Sequence, residues 1–267
     1  TYSNKKGVLF VSNYRAITFF DLDGTLLDAK SKITPEVAKA MNALKENNVL
    51  PVIATGRTEA EIHSIMEDAG ITSAVTMNGS FIRVNGEEIY SQTFSSEECQ
   101  KMYDHVQLNG HELSYYNDQK IWCTGHSQTM IDAYDFIHSD VPEIDPLGFK
   151  DNTVNMLLIL SQSGDEYYHE HFPELTFYRN GPYSIDTVKK GISKGAGVKR
   201  LKKELQLEEV PTFGFGDGPN DFALLEACDN KIAMGNAYDG LKELSTFITK
   251  KNTEAEIVHA LKHFDLI

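Results

Sequence analysis

Cysteine is scarce in this chain of 267 residues, and the three cysteines, Cys99, Cys123 and Cys228, lie far apart. No Cys-x-x-Cys pair occurs, so the sequence indicates neither a zinc site nor a disulfide framework. Unpaired thiols are typical of a reducing compartment. We therefore expect a cytoplasmic protein with three free thiols.

Long apolar runs are missing as well. No stretch approaches the roughly 20 consecutive apolar residues that a membrane-spanning helix needs. The segment from Val8 to Val11 is too short to be the core of a signal peptide. We expect no membrane partner, and we leave open whether the first dozen residues, which begin with Thr rather than Met, are native.

Positive charge is in deficit. The chain has 25 Lys and Arg against 39 Asp and Glu, which gives a net charge of −14. Such a surface repels nucleic-acid backbones and anionic membranes, so neither is expected as a partner. The acidity is sufficiently explained by solubility, and it leaves the oligomeric state open, with a monomer or a weak dimer both acceptable.

Two nucleotide-binding patterns are absent. The chain contains no Gly-x-x-x-x-Gly-Lys-Ser/Thr sequence, which excludes a P-loop. The glycines of residues 216–221 do not have the spacing of a dinucleotide-binding fingerprint. Any phosphate site in this protein must therefore be built differently.

What the chain does contain is an alternation of short apolar strands and amphipathic helices at both ends. The predicted strands are 17–20, 51–54, 74–77, 212–215, 231–234 and 247–249. The predicted helices are 35–47, one that begins after Thr58 and stops at Gly70, 194–205, 220–227 and 254–264. A hairpin is expected over 81–90, turning at Asn85-Gly86. This alternation predicts an α/β fold with a doubly wound, mostly parallel sheet.

The middle of the chain has a different character. From about residue 91 to residue 185 it is richer in Tyr and His and carries long polar connections. We predict that residues 1–90 and 186–267 form the core domain and that residues 91–185 form an inserted α+β domain.

Four polar clusters stand out in the sequence. Three directly follow a predicted strand, and the fourth, Lys194, begins a predicted helix. In an open α/β sheet, ligands bind beyond the carboxyl ends of the strands, so these clusters mark a candidate site. The clusters are Asp21 with Asp23, Thr55-Gly56-Arg57, Lys194, and residues 216–221 with Asp217, Asn220 and Asp221.

Each cluster taken alone has a simpler interpretation. Thr55-Gly56 fits an ordinary strand-to-helix turn, Lys194 a solvated helix residue, and residues 216–221 a turn with a helix cap. Together they would place four carboxylates, an ammonium, a hydroxyl and several loop amides at one rim. Oxygen ligands select a hard cation, Mg²⁺ above all, and the remaining donors suit a phosphate.

At this point the chain resembles the haloacid dehalogenase superfamily of phosphohydrolases. Its four motifs match Asp-x-Asp-Gly-Thr at residues 21–25, Thr55, Lys194 and Gly-Asp-x-x-Asn-Asp at residues 216–221, in that order. The Thr-Gly-Arg, Asn-Gly and Ile-Ser-Lys-Gly details resemble the Cof-type subfamily. The resemblance covers the whole chain and implies a Rossmann-like core with a large inserted α/β cap of the C2 type.

The resemblance implies the chemistry of the matching positions. Asp21 would be the nucleophile that forms an aspartyl-phosphate, and Asp23 would protonate the leaving group and then activate water. Mg²⁺ would be held by the carboxylates of Asp21 and Asp217 and by the backbone carbonyl of Asp23. Asp221 would support either the metal or Lys194.

The same resemblance implies the phosphate contacts. Thr55, Gly56 and Lys194 would hold the phosphoryl oxygens, with help from Asn220. Asn78, also at a strand end, would contact the substrate or order the site, although a simple turn before the hairpin explains it equally well. The sequence assigns no role to Arg57.

The function implied is that of a Mg²⁺-dependent phosphatase acting on a small phosphorylated metabolite, with a sugar phosphate as the first candidate. A phosphomutase or phosphotransferase with the same aspartyl intermediate is the alternative, and a non-catalytic metabolite-binding regulator is the rival from another class. A dehalogenase is disfavoured, because Asp23 and the metal ligands would have no use there.

Two weaker patterns lie in the middle of the chain. His169-Glu170-His171 suggests a metal ligand pair, but an exposed helix is the more frequent explanation. Tyr115-Tyr116 and Trp122 fit a sugar-binding pocket, and a packed sheet is the preferred interpretation.

Overall fold

A computed structural model describes residues 13–137, 139–179, 181–252 and 256–267 of the chain. The segment from Val8 to Val11 lies outside the described residues. Within the described ranges, every helix is too short or too polar to span a bilayer.

The described residues form two β-sheets with helices packed on them. The strands are β1 (Ala16–Phe20), β2 (Val49–Ala54), β3 (Ala74–Thr76), β4 (Phe81–Val84), β5 (Glu87–Ser91), β6 (Glu112–Tyr116), β7 (Ile121–Cys123), β8 (Glu143–Ile144), β9 (Met156–Leu160), β10 (Leu175–Tyr178), β11 (Ser184–Lys189), β12 (Thr212–Gly216), β13 (Asn230–Ala233) and β14 (Phe247–Ile248). The helices are α1 (Pro35–Glu46), α2 (Glu59–Ala69), α3 (Ser96–Leu108), α4 (Gln128–Phe136), α5 (Asp165–His171), α6 (Lys194–Glu204), α7 (Phe222–Glu226), α8 (Asp239–Leu244) and α9 (Glu256–His263).

The larger sheet has the strand order β14-β13-β12-β1-β2-β3-β4-β5. Its pairs from β14 to β3 are parallel, and β4 and β5 add an antiparallel hairpin at one edge. The central strands β1 and β2 are buried along their whole length, as expected where helices cover both faces of a parallel sheet. The predicted doubly wound, mostly parallel α/β fold is confirmed.

The register of β1 with its two neighbours fixes where the polar clusters lie. Phe20 pairs with Ile53 of β2 and with Phe215 of β12. All three strands are parallel, so their carboxyl ends meet at one edge of the sheet. Asp21, Thr55 and Asp217, which follow these strands directly, therefore start from neighbouring positions.

The second sheet has the strand order β10-β11-β9-β6-β7-β8 and is antiparallel except for the pair β7–β8. One of its faces packs a core rich in aromatic side chains, in which Tyr115 and Trp122 are fully buried. The packed-sheet interpretation of these two residues is therefore correct, and the sugar-pocket alternative is wrong for them. His169 and His171 are exposed near the end of α5, as expected for a surface helix.

Several helix boundaries follow the capping signals of the sequence. The Thr34 side chain accepts a hydrogen bond from the N–H of Val37 at 3.2 Å, and α2 stops at Gly70 with a left-handed φ of 65°. The helix predicted over 220–227 is instead a 3₁₀ turn, Pro219–Asp221, followed by the short helix α7. The reason is that the Asp221 carboxylate accepts backbone N–H groups of the preceding loop, which folds the chain back before the helix can begin.

The two sheets meet beside the carboxyl edge of the larger one. The hydroxyl of Thr58 donates to the backbone oxygen of Asn117, and Nδ2 of Asn78 donates to Oδ2 of Asp186 at 2.9 Å. Asp186 lies on β11, which crosses the predicted boundary between residues 185 and 186. The division into core and inserted domain at these positions stays a prediction.

Candidate active site

Asp21 stands at the centre of the site because β1 is the central strand of the six parallel ones. Its backbone N–H continues the sheet by donating to the oxygen of Phe215 at 3.0 Å, and its backbone oxygen accepts from Leu26 at 3.1 Å. These bonds hold the residue at the rim of the core. The residue is 6% exposed, so the carboxyl group is almost fully removed from water.

Lys194 brings a positive charge into the same buried space. Nζ lies 2.5 Å from Oδ1 of Asp21 and 2.7 Å from Oδ1 of Asp221, and the residue is 2% exposed. It is the first residue of α6, whose start is capped by the Ser193 hydroxyl accepting from the N–H of Ala196 at 3.0 Å. Burial would lower the pKa of Lys194, but the two carboxylates outweigh it and raise the pKa above its usual value.

Asp221 serves both Lys194 and the loop after β12. Its Oδ1 contacts the ammonium group, while its Oδ2 accepts from the N–H groups of Asp217 and Gly218 at 3.0 and 3.1 Å. Both oxygens are therefore engaged inside the protein. This arrangement favours a supporting role over that of a metal ligand, the two options that the sequence left open for Asp221.

Asp217 is oriented by contacts from two segments. Its Oδ1 accepts from the hydroxyl of Thr25 at 3.1 Å and its Oδ2 from Nδ2 of Asn236 at 3.3 Å. Asn236 also donates to the backbone oxygen of Gly24, which ties this loop to the turn after β1. Gly24 has a φ of 81°, and a Cβ there would lie 2.2 Å from Oδ2 of Asp217. Only glycine lets the two segments approach this closely.

Three carboxyl groups lie close together in the site, and burial and their mutual repulsion raise two of their pKa values. Asp21, Asp217 and Asp221 each offer an oxygen, and these oxygens lie within 4.8 Å of one another. Burial, and next the charge of Asp221, raise the pKa of Asp21 to about 8 against the opposing effect of Lys194. The same two causes raise the pKa of Asp217 to about 6. Because Asp221 is engaged by Lys194 and by the loop, the carboxyl oxygens of Asp21 and Asp217 are the ones that fit a hard divalent cation.

Asp23 stands apart from this cluster. Its carboxylate is held by Arg57 through two hydrogen bonds, Nε to Oδ2 at 2.9 Å and Nη2 to Oδ1 at 2.7 Å. The Asp23 side chain is 53% exposed, so it faces the open side of the site. The sequence assigned Arg57 no role, and the signal that was available is its place directly after Thr55-Gly56, in the turn that follows β2, the strand next to β1.

The turn after β2 contains Thr55 and Gly56. Thr55 is 2% exposed, and its hydroxyl oxygen accepts from the N–H of Arg57 at 3.1 Å. A Cβ at Gly56 would lie 3.2 Å from Oδ2 of Asp186 and 3.3 Å from Oδ1 of Asn78. Glycine therefore allows the turn to pass close to two polar side chains, one of which comes from the second sheet.

Asn78 lies in the left-handed region, with a φ of 55°, in the 3₁₀ turn that follows β3. Asparagine tolerates this conformation better than most residues. Its N–H donates to the oxygen of Thr55 at 3.1 Å, and its amide donates to Asp186. The residue is thus both a turn residue and part of the site's wall. Asn220 lies in the turn Pro219–Asp221, between Asp217 and Asp221 in the chain.

Comparisons with known proteins give a consistent result. The sequence model of a family described as haloacid dehalogenase-like hydrolase matches residues 18–261. The 5-amino-6-(5-phospho-D-ribitylamino)uracil phosphatase YwtE of Bacillus subtilis (strain 168) is 27% identical over 270 residues, covering 90% of this chain and 94% of that protein.

Solved structures of the same fold are also similar to this chain. A hypothetical protein from Geobacillus kaustophilus HTA426 is 28% identical with a TM-score of 0.88, covering 95% of this chain and 100% of that one. The HAD subclass IIB sugar phosphatase BT4131 is 26% identical with a TM-score of 0.79, with the same coverage of 95% and 100%.

Proposed function

Because the chain belongs to the haloacid dehalogenase-like hydrolase family, we propose that it is a Mg²⁺-dependent phosphatase of a small phosphorylated metabolite, with a sugar phosphate as the first candidate. The observation that carries the proposal is the buried arrangement of Asp21, Lys194 and Asp221 with Asp217 beside it. Similar proteins named as a sugar phosphatase and a ribitylaminouracil phosphatase support the substrate class.

Asp21 is the nucleophile in this proposal. One of its carboxylate oxygens attacks phosphorus, the bond from phosphorus to the leaving oxygen breaks, and an aspartyl-phosphate forms. Asp23 supplies the proton that the leaving alkoxide takes up. In the second step Asp23 takes a proton from water, whose oxygen attacks phosphorus and releases inorganic phosphate and free Asp21.

The phosphoryl oxygens would be held by groups at the carboxyl edge of the larger sheet. We assign this role to the hydroxyl of Thr55, the N–H of Gly56, the ammonium of Lys194 and the amide of Asn220. Charge-assisted hydrogen bonds of this kind stabilise the charge that is spread over the transferring group. Lys194 also keeps Asp21 aimed, since it contacts that carboxylate at 2.5 Å.

Mg²⁺ would be held by the carboxylates of Asp21 and Asp217 and the backbone oxygen of Asp23. When bound, it neutralises negative charge so that a carboxylate can approach a phosphate anion. Asp221, whose two oxygens are already engaged, would support Lys194 and the loop that carries Asp217.

The pair formed by Asp23 and Arg57 is a resting arrangement in this proposal. A general acid must have a free oxygen near the leaving group, whereas here both Asp23 oxygens accept hydrogen bonds from Arg57. Entry of a phosphate dianion offers Arg57 a competing partner. Arg57 would then release Asp23 for proton transfer and take up contact with the substrate.

The division of the chain also enters the proposal. Residues 1–90 and 186–267 would form the catalytic core, and residues 91–185 would form a cap that closes over the site and excludes bulky substrates. A cytoplasmic location and a monomeric or weakly dimeric state stay predictions.

A panel of phosphorylated metabolites assayed for phosphate release tests the proposal. We expect release with Mg²⁺, its loss with EDTA, and its loss in Asp21→Asn by a factor of roughly 10³ or more. Asp68→Asn, an exposed change on α2, is the matched control and should behave like the wild type. Metal-independent release, or near-normal turnover by Asp21→Asn, would contradict the assignment.

A further inference from the structure

Asp186 reaches from the second sheet to the edge of the larger one. It lies on β11, and its Oδ2 accepts a hydrogen bond from Nδ2 of Asn78 at 2.9 Å. The same oxygen is 3.2 Å from the position that a Cβ at Gly56 would occupy. Gly56 joins Thr55 to Arg57, so the Asp186 carboxylate faces the turn to which the proposed function assigns phosphate binding.

The charges around Asp186 are predominantly negative. Burial raises the pKa of the neighbouring Glu61, and the negative charges of Asp186 and Asp23 raise it further. Arg57 acts in the opposite direction, but its guanidinium is already engaged by both oxygens of Asp23. Among the described residues, the charges that act on Glu61 beside Asp186 are thus those of Asp23 and Arg57.

The leaving group of a substrate must enter this region. With phosphorus in front of Asp21, the leaving oxygen points to Asp23, which protonates it in the proposed reaction. Asp23 is tied to Arg57, and Arg57 follows Gly56 in the turn that Asp186 faces. Asp23 and Asp186 also both act electrostatically on Glu61, so the two carboxylates border the same region, which the atoms beyond the leaving oxygen would enter.

We propose that Asp186 is a specificity-determining residue, whose carboxylate selects leaving groups that carry hydroxyl donors and rejects leaving groups that carry a second negative charge. This inference rests on the proposed phosphatase function. Hydroxyl groups donate to a carboxylate, whereas an alkyl group leaves it without those bonds and an anion is repelled. A site built to bind a polar group discriminates strongly against analogues that lack it.

Three phosphate esters with the same branched three-carbon skeleton measure this selectivity. Glycerol 2-phosphate offers two hydroxyl groups, isopropyl phosphate offers none, and 2-phosphoglycerate replaces one CH₂OH by a carboxylate. We expect the wild type to prefer glycerol 2-phosphate over each of the others by roughly tenfold or more in kcat/KM, which equals about 1.4 kcal/mol. Turnover of 2-phosphoglycerate as fast as glycerol 2-phosphate would overturn the inference without any variant.

Two variants separate the effect of the Asp186 charge from that of its packing. Asp186→Asn removes the charge with little change in size, and Asp186→Glu keeps the charge on a longer side chain. Asp186→Asn should raise kcat/KM for 2-phosphoglycerate and reduce the preference for glycerol 2-phosphate by roughly tenfold. Asp186→Glu should keep the discrimination against the anion. Asp151→Asn, an exposed change of the same charge, should leave all ratios unchanged.

The outcomes separate the inference from the function beneath it. A folded Asp186→Asn that loses activity equally on all three esters shows a structural role and overturns the specificity inference, while the phosphatase assignment stands. Circular dichroism establishes whether the variant is folded. A wild type that hydrolyses no phosphate ester in the presence of Mg²⁺ overturns both.

Discussion

Lys194→Met is expected to destabilise the protein strongly. The Lys194 side chain is 1% exposed and lies between the carboxylates of Asp21 and Asp221 at 2.5 and 2.7 Å. Methionine has a similar length but carries no charge. The substitution therefore leaves two carboxyl groups buried next to each other without the cation that compensates them.

The size of the effect follows from the burial of the pair. Removing one partner of a buried ion pair costs about 3–5 kcal/mol. In a domain of this size each 1 kcal/mol shifts Tm by roughly 2–4 °C, so we expect Tm to fall by about 10 °C near neutral pH.

The fall in Tm of Lys194→Met relative to the wild type should become smaller as the pH is lowered. Burial and the charge of Asp221 already raise the pKa of Asp21 to about 8, and loss of Lys194 removes the opposing effect and raises it further. A carboxyl group whose pKa is raised by folding binds more protons in the folded state than in the unfolded chain. Lowering the pH from 8 toward 5 therefore favours the folded variant, and its deficit relative to the wild type should shrink.

Thermal unfolding followed by circular dichroism at pH 8 and at pH 5.5, without metal, measures both effects. Lys199→Met is the matched control, because Lys199 lies on the same helix and is exposed. A Tm of Lys194→Met within about 2 °C of the wild type at pH 8, or a deficit that grows on acidification, would refute the reasoning.

Three further outcomes are expected. The increase in Tm caused by Mg²⁺ should grow from pH 6 to pH 8. The pKa values of Asp21 and Asp217 are raised to about 8 and about 6, so the cation competes with protons at lower pH. A shift in Tm that does not vary with pH would contradict this. Gly24→Ala should lower the free energy of unfolding in urea by about 1 kcal/mol or more, since φ at this position is 81°. It should also weaken Mg²⁺ binding, because the new Cβ would displace Asp217. An unchanged Mg²⁺ titration would contradict the effect on binding. Arg57→Met should lower kcat roughly tenfold in steady-state kinetics, because the substrate phosphate loses the contact that Arg57 takes up when it releases Asp23. Little change in Tm is expected, and an unaltered kcat would show that Arg57 does not contact the substrate.

The sequence could predict that several site residues lie close together, because this depends on a rule of sheet geometry. Asp21, Thr55 and Asp217 each follow an apolar strand, and parallel strands bring their carboxyl ends to one edge. Lys194 was placed there by the resemblance of its motif to the family's third one, because the strand before its helix, β11, belongs to the second sheet. The expectation that Asp21, Thr55 and Asp217 lie together therefore depends only on strand order.

The order of the strands does not predict which side chains form hydrogen bonds with each other in the site. The sequence assigned no role to Arg57, because the contact with Asp23 requires that β1 and β2 be neighbours and that both side chains turn to the open side. It also missed Asp186, which is 108 residues from Asn78 in the chain and belongs to the other sheet. Asn220 and Asp221 were predicted as the start of a helix but lie in a 3₁₀ turn, because the competing hydrogen bonds of Asp221 depend on the three-dimensional path of the loop.

The sequence by itself determined the fold class, the chemical type of the site and the residues at its centre. Apolar periodicity and the residues at strand ends are local properties, so they can be read in one dimension. Only the tertiary structure decided which oxygen meets which nitrogen and which residue of the second sheet faces the site. Those contacts depend on how the two sheets pack against each other, and packing is set by the shape of all the side chains between them.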